Sequence, residues 1–214
     1  ASLQQALQSA RDGRGQVVAV VGNAGIGKSR LCHEFTQDCE RRGIVVHRAT
    51  GVPYAHALPL YPVQMLARAR MGLDGRASAG DVRRWVAGAL LMHKPQHADL
   101  LPVIFYFLGV ADGREKMPEP SEAQREKLLD LMTTYIACGD EQCTQVLLIE
   151  DLHFLDAASE SFIARLAQRV RESRTLLLLN YRPDDISEWL IPLLDEQVSV
   201  SAFGAEKLEQ MAQS

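Results

Sequence analysis

The sequence predicts an α/β protein in which a parallel sheet is covered by helices on both faces. Three observations carry this. Short unbroken apolar runs, Val17–Val21, Val146–Ile149 and Leu176–Leu179, have the length of strands and the all-round apolarity of strands buried on both sides. Segments with apolar residues at helical spacing separate them, as parallel strands require. The chain has 214 residues, 47% hydrophobic and 23% charged, enough for one large domain with a well-buried core.

Leu3, Leu7 and Ala10 fall on one face of a short helix, which the glycines of "RDGRGQ" end. The first strand, Val17–Val21, follows. After a glycine-rich loop, Leu31, Cys32, Phe35 and Cys39 recur at helical spacing up to Gly43. "GIVVHRAT" is the second strand. From Tyr54 to about Asp140 the pattern is helical, with apolar runs near Val63–Met71, Val82–Met92, Leu100–Leu108 and Leu128–Ile136. Ser121 and Gln124 in "PSEAQ" have the spacing of a capping box before the last of these. This stretch reads as a helical insertion between strands two and three. "QVLLIED" is the third strand, and "DAASESFIARLAQRV" the next helix, with Asp156 placed to cap it and Phe162, Ile163, Leu166 and Val170 facing inward. "RTLLLLNYRPD" and "QVSVSAF" are strands four and five, giving a five-stranded parallel sheet.

The loop after strand one is Gly22-Asn23-Ala24-Gly25-Ile26-Gly27-Lys28-Ser29, followed by Arg30. It fits G-x-x-x-x-G-K-[ST] between a buried strand and a helix start, where this motif works. Glycines let successive backbone N–H groups curl around phosphate oxygens, and the helix N-terminus adds partial positive charge. Residues 22–30 are therefore the expected nucleotide contacts. Lys28 would reach the β- and γ-phosphates and should be largely solvated without them, and the Ser29 hydroxyl would hold Mg2+.

Such a loop needs carboxylates at the end of another strand, and Glu150 and Asp151 stand there. One would serve the metal and the other the attacking water. By position Glu150 takes the metal role and Asp151 the water role, although chemistry alone allows the reverse. His153 reads as a structural or partner-facing residue. Strand four ends in Asn180 and Arg182, beside the phosphates if the sheet is parallel. Asn180 would hold the attacking water, and Arg182 would sense the γ-phosphate or else pair with Asp184 or Asp185.

Composition narrows the partners. A formal net charge of -4 argues against direct nucleic-acid binding, and Arg41/Arg42 and Arg83/Arg84 read as solvated helix faces. Cys32, Cys39, Cys138 and Cys143 lack metal-site spacing and read as free thiols in a reducing compartment. No signal peptide opens the chain, and "LLPVIFYFLGV" is too short to span a bilayer, so the expectation is a cytoplasmic protein without a membrane anchor.

In this order, "GQVVAVVGNAGIGKSRLCHEF", "LLIEDLHFLDAASESFIARLA" and "LLLLNYRPD" resemble the AAA-type P-loop ATPase module of STAND signalling proteins. The nearest likeness is to the version beside bacterial class III adenylate/guanylate cyclase domains and in large LuxR-type regulators, and "PYAHALPLYPVQMLARARMGL" shares in it. The resemblance implies the P-loop NTPase three-layer sandwich, ATP and ADP as ligands with Mg2+, slow turnover, and a switch read by adjacent sensor and output domains of the same polypeptide, with nucleotide-dependent self-association. It carries the P-loop role onto Lys28 and Ser29, the acidic motif onto Glu150 and Asp151, and the strand-four arginine onto Arg182. The chain departs from the pattern in the order of its two acids, in Phe154 where tryptophan is common and in Asn180 where threonine is common. Against the resemblance, residues 1–214 would be a piece of a larger chain, without the segment near the adenine, the helical lid or the winged helix. The other readings are a mechanical or loader-type AAA+ ATPase and a nucleotide-binding scaffold with negligible hydrolysis.

Overall fold

The computed structural model describes residues 2–53, 59–73, 77–111, 120–138, 143–185 and 189–200. It holds helix α1 (Ser2–Arg11), strand β1 (Gln16–Val21), α2 (Lys28–Arg41) and β2 (Val45–Thr50). The helices α3 (Tyr61–Arg70), α4 (Ala79–His93), α5 (Leu101–Phe107) and α6 (Glu122–Ala137) come next. Then follow β3 (Gln145–Glu150), α7 (Ala157–Val170), β4 (Thr175–Tyr181) and β5 (Glu196–Ser199). Every strand pairing is parallel, in the order β2-β3-β4-β1-β5. Parallel neighbours need a crossover between them, and α2, α7 and the α3–α6 insertion supply it.

Side-chain alternation builds the three layers. Val18, Val20, Val146, Leu148, Leu176 and Leu178 pack with α1 and α2 on one face. Val17, Ala19, Leu147, Ile149, Leu177 and Leu179 pack with α7 and the insertion on the other. Both caps expected from the sequence form. Ser121 and Gln124 close a reciprocal box at the start of α6, and Asp156 Oδ1 accepts the Ala158 and Ser159 N–H groups, both at 3.0 Å.

The insertion is held to the sheet by a polar anchor. Arg70, the last residue of α3, donates to the Tyr135 carbonyl at 2.5 Å and the Cys138 carbonyl at 3.3 Å, which closes the end of α6. Its third nitrogen, Nη1, donates to Gln145 Oε1 at 2.9 Å, at the start of β3. Gln145 in turn donates to the Ile136 carbonyl and to Thr175 Oγ1, both at 2.9 Å. A buried amide and a guanidinium thus satisfy carbonyls that the helix end leaves without partners.

The segment expected to be helical from Tyr54 includes residues 54–58, and the expected fifth strand runs into 201–203. Both stretches lie outside the described residues, where β5 is Glu196–Ser199.

Candidate phosphate-binding site

The loop between β1 and α2 has the backbone that its glycines permit. Gly25 and Gly27 have φ of +74° and +101°, which side-chain-bearing residues rarely adopt, and open space lies where a Cβ would stand. Gly22 is small for another reason: a Cβ there would meet the Val200 carbonyl oxygen at 2.7 Å and Ile26 Cγ2 at 2.8 Å. Gly27 stands before α2 with no side-chain cap, so the first-turn N–H groups of α2 carry no capping acceptor. Left-handed glycines and an uncapped helix start form a concave row of donors suited to an anion.

Lys28 departs from expectation. It is only 8% exposed, and its ammonium donates to the Asn23 carbonyl at 2.9 Å across the loop. The loop's own carbonyl is a ready acceptor, so without phosphate the charge folds back rather than extending into water. Ser29 is exposed at the second position of α2. Arg30 is exposed too, with its guanidinium held by Glu34 one turn along at 2.8 Å, directed along the helix.

At the end of β3, Glu150 and Asp151 are half-buried. Asp151 is left-handed at φ +56°, one of two non-glycine residues with positive φ among those described. Asparagine and aspartate tolerate this region better than most residues, and strain of this kind collects at functional sites. It turns the chain sharply, and its carbonyl accepts the Phe154 N–H at 3.0 Å.

Asn180 ties these parts together. It is completely buried on β4, whose neighbours are β1 and β3. Its Nδ2 donates to Glu150 Oε1 at 2.9 Å and points at Cys32 Sγ of α2 at 4.0 Å. Its Oδ1 accepts the Asp151 N–H at 2.8 Å. One N–H and the carbonyl are therefore engaged by the acidic strand end, with the second N–H directed at the Cys32 sulfur. Asn180 thus holds the side chain of Glu150 and the backbone of Asp151 together. Cys32 sits beside it, fully buried, and burial pushes its thiol up to about 11.

Arg182 follows the Val21–Tyr181 register pair and so leaves the sheet alongside Gly22. It is exposed and makes no ion pair with Asp184, while the Asp185 side chain lies outside the described residues. Asp156 does more than cap α7, since its Oδ2 accepts the Leu60 N–H at 3.2 Å at the start of α3. The ring of His153 lies 3.9 Å from that of Phe154, and both its nitrogens are buried without a hydrogen-bond partner among the described residues.

Sequence reasoning missed Gly51, just past β2. Its N–H donates to the Glu150 carbonyl at 2.8 Å, and a Cβ would lie 2.4 Å from the Asp151 carbonyl oxygen. A glycine directly after a strand was the available signal. Among the described residues no cluster of three or more His, Cys, Asp or Glu forms a self-sufficient metal site. The acids present suit a hard cation held jointly with phosphate oxygens, as Mg2+ usually is.

Residues 1–179 match the AAA ATPase domain family. The chain belongs to that family. An uncharacterized protein of Rhizobium meliloti (strain 1021) is 27% identical to this AAA ATPase domain over 179 residues, which are 83% of this chain and 17% of that protein. The chain thus spans about a sixth of the length of the curated relative it matches, 17%. Among solved structures, a RuvB mutant of Thermotoga maritima aligns at a TM-score of 0.47 and 14% identity, covering 99% of this chain and 47% of its own. Drosophila ORC bound to AT-rich DNA and Cdc6 aligns at 0.49 and 10% identity, covering 94% and 53%. No helix among the described residues is long and apolar enough to cross a membrane.

Proposed function

We propose that this AAA ATPase domain binds ATP with Mg2+, hydrolyses it slowly, and serves as a nucleotide-dependent switch for sensor and output domains of the same polypeptide. The observation that carries the reading is the chain of contacts from α2 through Cys32 and Asn180 to Glu150 and Asp151. It places the helix that follows the phosphate loop beside the acidic strand end. The length of the Rhizobium meliloti relative supports placing the domain among others, and the acidic balance favours a switch over a DNA loader.

The residues have separable tasks. The N–H groups around Gly25 and Gly27 bind phosphate oxygens, and Lys28 exchanges the Asn23 carbonyl for them. Ser29 and Glu150 hold the metal, with Glu150 Oε2 available because Asn180 occupies Oε1. Asp151, its backbone fixed by Asn180, orients a water and takes its proton on the carboxylate. Arg182 places a cation at the mouth of the loop. The bound Mg2+ would supply neutralisation of phosphate charge. Residues 22–30 form the nucleotide contact, in which Arg30 contributes through its backbone, because its side chain is engaged by Glu34.

The test is turnover and assembly measured together. Phosphate release well below roughly 1 per second, with light scattering that differs between ATP and ADP, supports a switch. Turnover at ordinary enzymatic rates, with identical scattering in both states, favours a constitutive ATPase.

A further inference from the structure

A cavity lies inside the helical insertion, lined by none of the residues of the phosphate loop. It has a volume of about 320 Å3 and opens between α4, α5 and α6. That is about ten times the ~30 Å3 share of a water in the liquid, and it falls in the usual range of small-molecule sites. Its walls are apolar: Trp85, Val86 and Leu90 from α4, Ile104 from α5, and Leu131 and Met132 from α6. The helices meet loosely here. Only Val82 and Val86 of the fifteen residues of α4 are fully buried, and Trp85 remains 53% exposed. A helix that buries so little of its own surface leaves an apolar wall in contact with water, at a cost proportional to its area.

Charge at the rim is one-sided. Lys94 and His93 line the cavity at the end of α4, and among the described residues no aspartate or glutamate lines it. The Lys94 ammonium has no hydrogen-bond or ion-pair partner among the described residues. Thr134 adds a hydroxyl on the α6 side. An apolar slot of this size, with Lys94 unpaired among the described residues at one end, is complementary to a molecule with a chain-like apolar body and an anionic head. A cationic amphiphile would meet Lys94 head-on.

We propose that the insertion carries a binding site for a free medium-chain amphiphilic carboxylate, with its chain between Trp85, Ile104 and Leu131 and its head at Lys94. This goes beyond the nucleotide reading and stands without it, since none of these residues belongs to the phosphate site.

The test titrates the whole chain with decanoate below its micelle concentration, by calorimetry and by tryptophan fluorescence. Decanoate should bind saturably with one site, and Trp85→Phe should remove most of the fluorescence change while leaving the calorimetric binding in place. Decyltrimethylammonium, with the same chain and the opposite head, should bind at least about tenfold more weakly. Lys94→Gln should weaken decanoate about fivefold, the upper range for an exposed ion pair. Ala89→Phe places bulk into the cavity from an exposed helix position, so the fold is not at risk, and it should abolish binding. Absence of saturable binding, equal affinity for the two heads, or full binding by Ala89→Phe would each overturn the proposal. A single site that instead captures an amphipathic peptide and excludes decanoate would overturn it as well.

Discussion

Asn180 and Glu150 are joined across neighbouring strands by a hydrogen bond of 2.9 Å, and the same asparagine accepts the Asp151 N–H at 2.8 Å. One amide therefore sets both the side chain of the first acid and the backbone of the second. Removing it by Asn180→Ala leaves the Asp151 N–H without this partner, at a cost of about 1–3 kcal/mol. Chemical denaturation should show that loss, and ATP turnover should fall further than ATP affinity, because the phosphate loop itself is untouched. Equal losses in affinity and turnover would remove Asn180 from its positioning role.

The two acids should separate in mutants. Asp151→Asn should slow hydrolysis more than it weakens binding, since only the proton acceptor is lost. Glu150→Gln should mainly weaken the Mg2+ dependence of binding. Titrations with and without Mg2+, beside phosphate-release rates, distinguish them, and the reverse pattern would exchange their assignments.

Gly51→Ala tests how closely β2 approaches the acidic turn. The added Cβ would stand 2.4 Å from the Asp151 carbonyl oxygen, closer than real contacts allow. Backbone must shift, so we expect about 1–3 kcal/mol of destabilisation together with reduced turnover. An alanine variant with unchanged melting and unchanged turnover would show that the turn yields freely.

His47 gives the fold a pH dependence. Burial, reinforced by Arg70, pushes its imidazole down to about 4. The unfolded chain takes up a proton near pH 6.5 and the folded chain near 4. Stability is full above 6.5, falls as pH drops between these values, and changes no further from this group below 4. The loss is on the order of 3 kcal/mol. Urea midpoints at pH 7 and pH 5 should differ more for the wild type than for His47→Gln, and equal differences would exclude His47 as the cause.

Much of this was legible in sequence because the signals are local. Five strands, the insertion, both caps and the glycine loop follow from runs, spacings and residue types that act within a few positions. What was not legible depends on contacts between distant segments. Lys28 folds onto Asn23 because the loop's curvature presents that carbonyl. Asn180 is enclosed because β4 lies between β1 and β3, so its amide meets Cys32 from α2 and the acids of β3. The partners of Arg70 are set by α6 ending beside it. The cavity behind Trp85 is a product of how three helices meet, which no helical period encodes.

The central claim is that Gly22–Ser29 and the acids at the end of β3 form one Mg-ATP site. Calorimetric titration of Mg-ATP into the wild type and into Lys28→Ala tests it most directly. The variant loses the buried side chain beyond Cβ, with the ammonium that rests on the Asn23 carbonyl, so a melting curve measured beside the titration establishes that it is folded. Saturable binding in the wild type, with affinity at least about a hundredfold lower in Lys28→Ala (~2.7 kcal/mol), is the predicted result. Equal affinity in a folded Lys28→Ala variant would contradict the account.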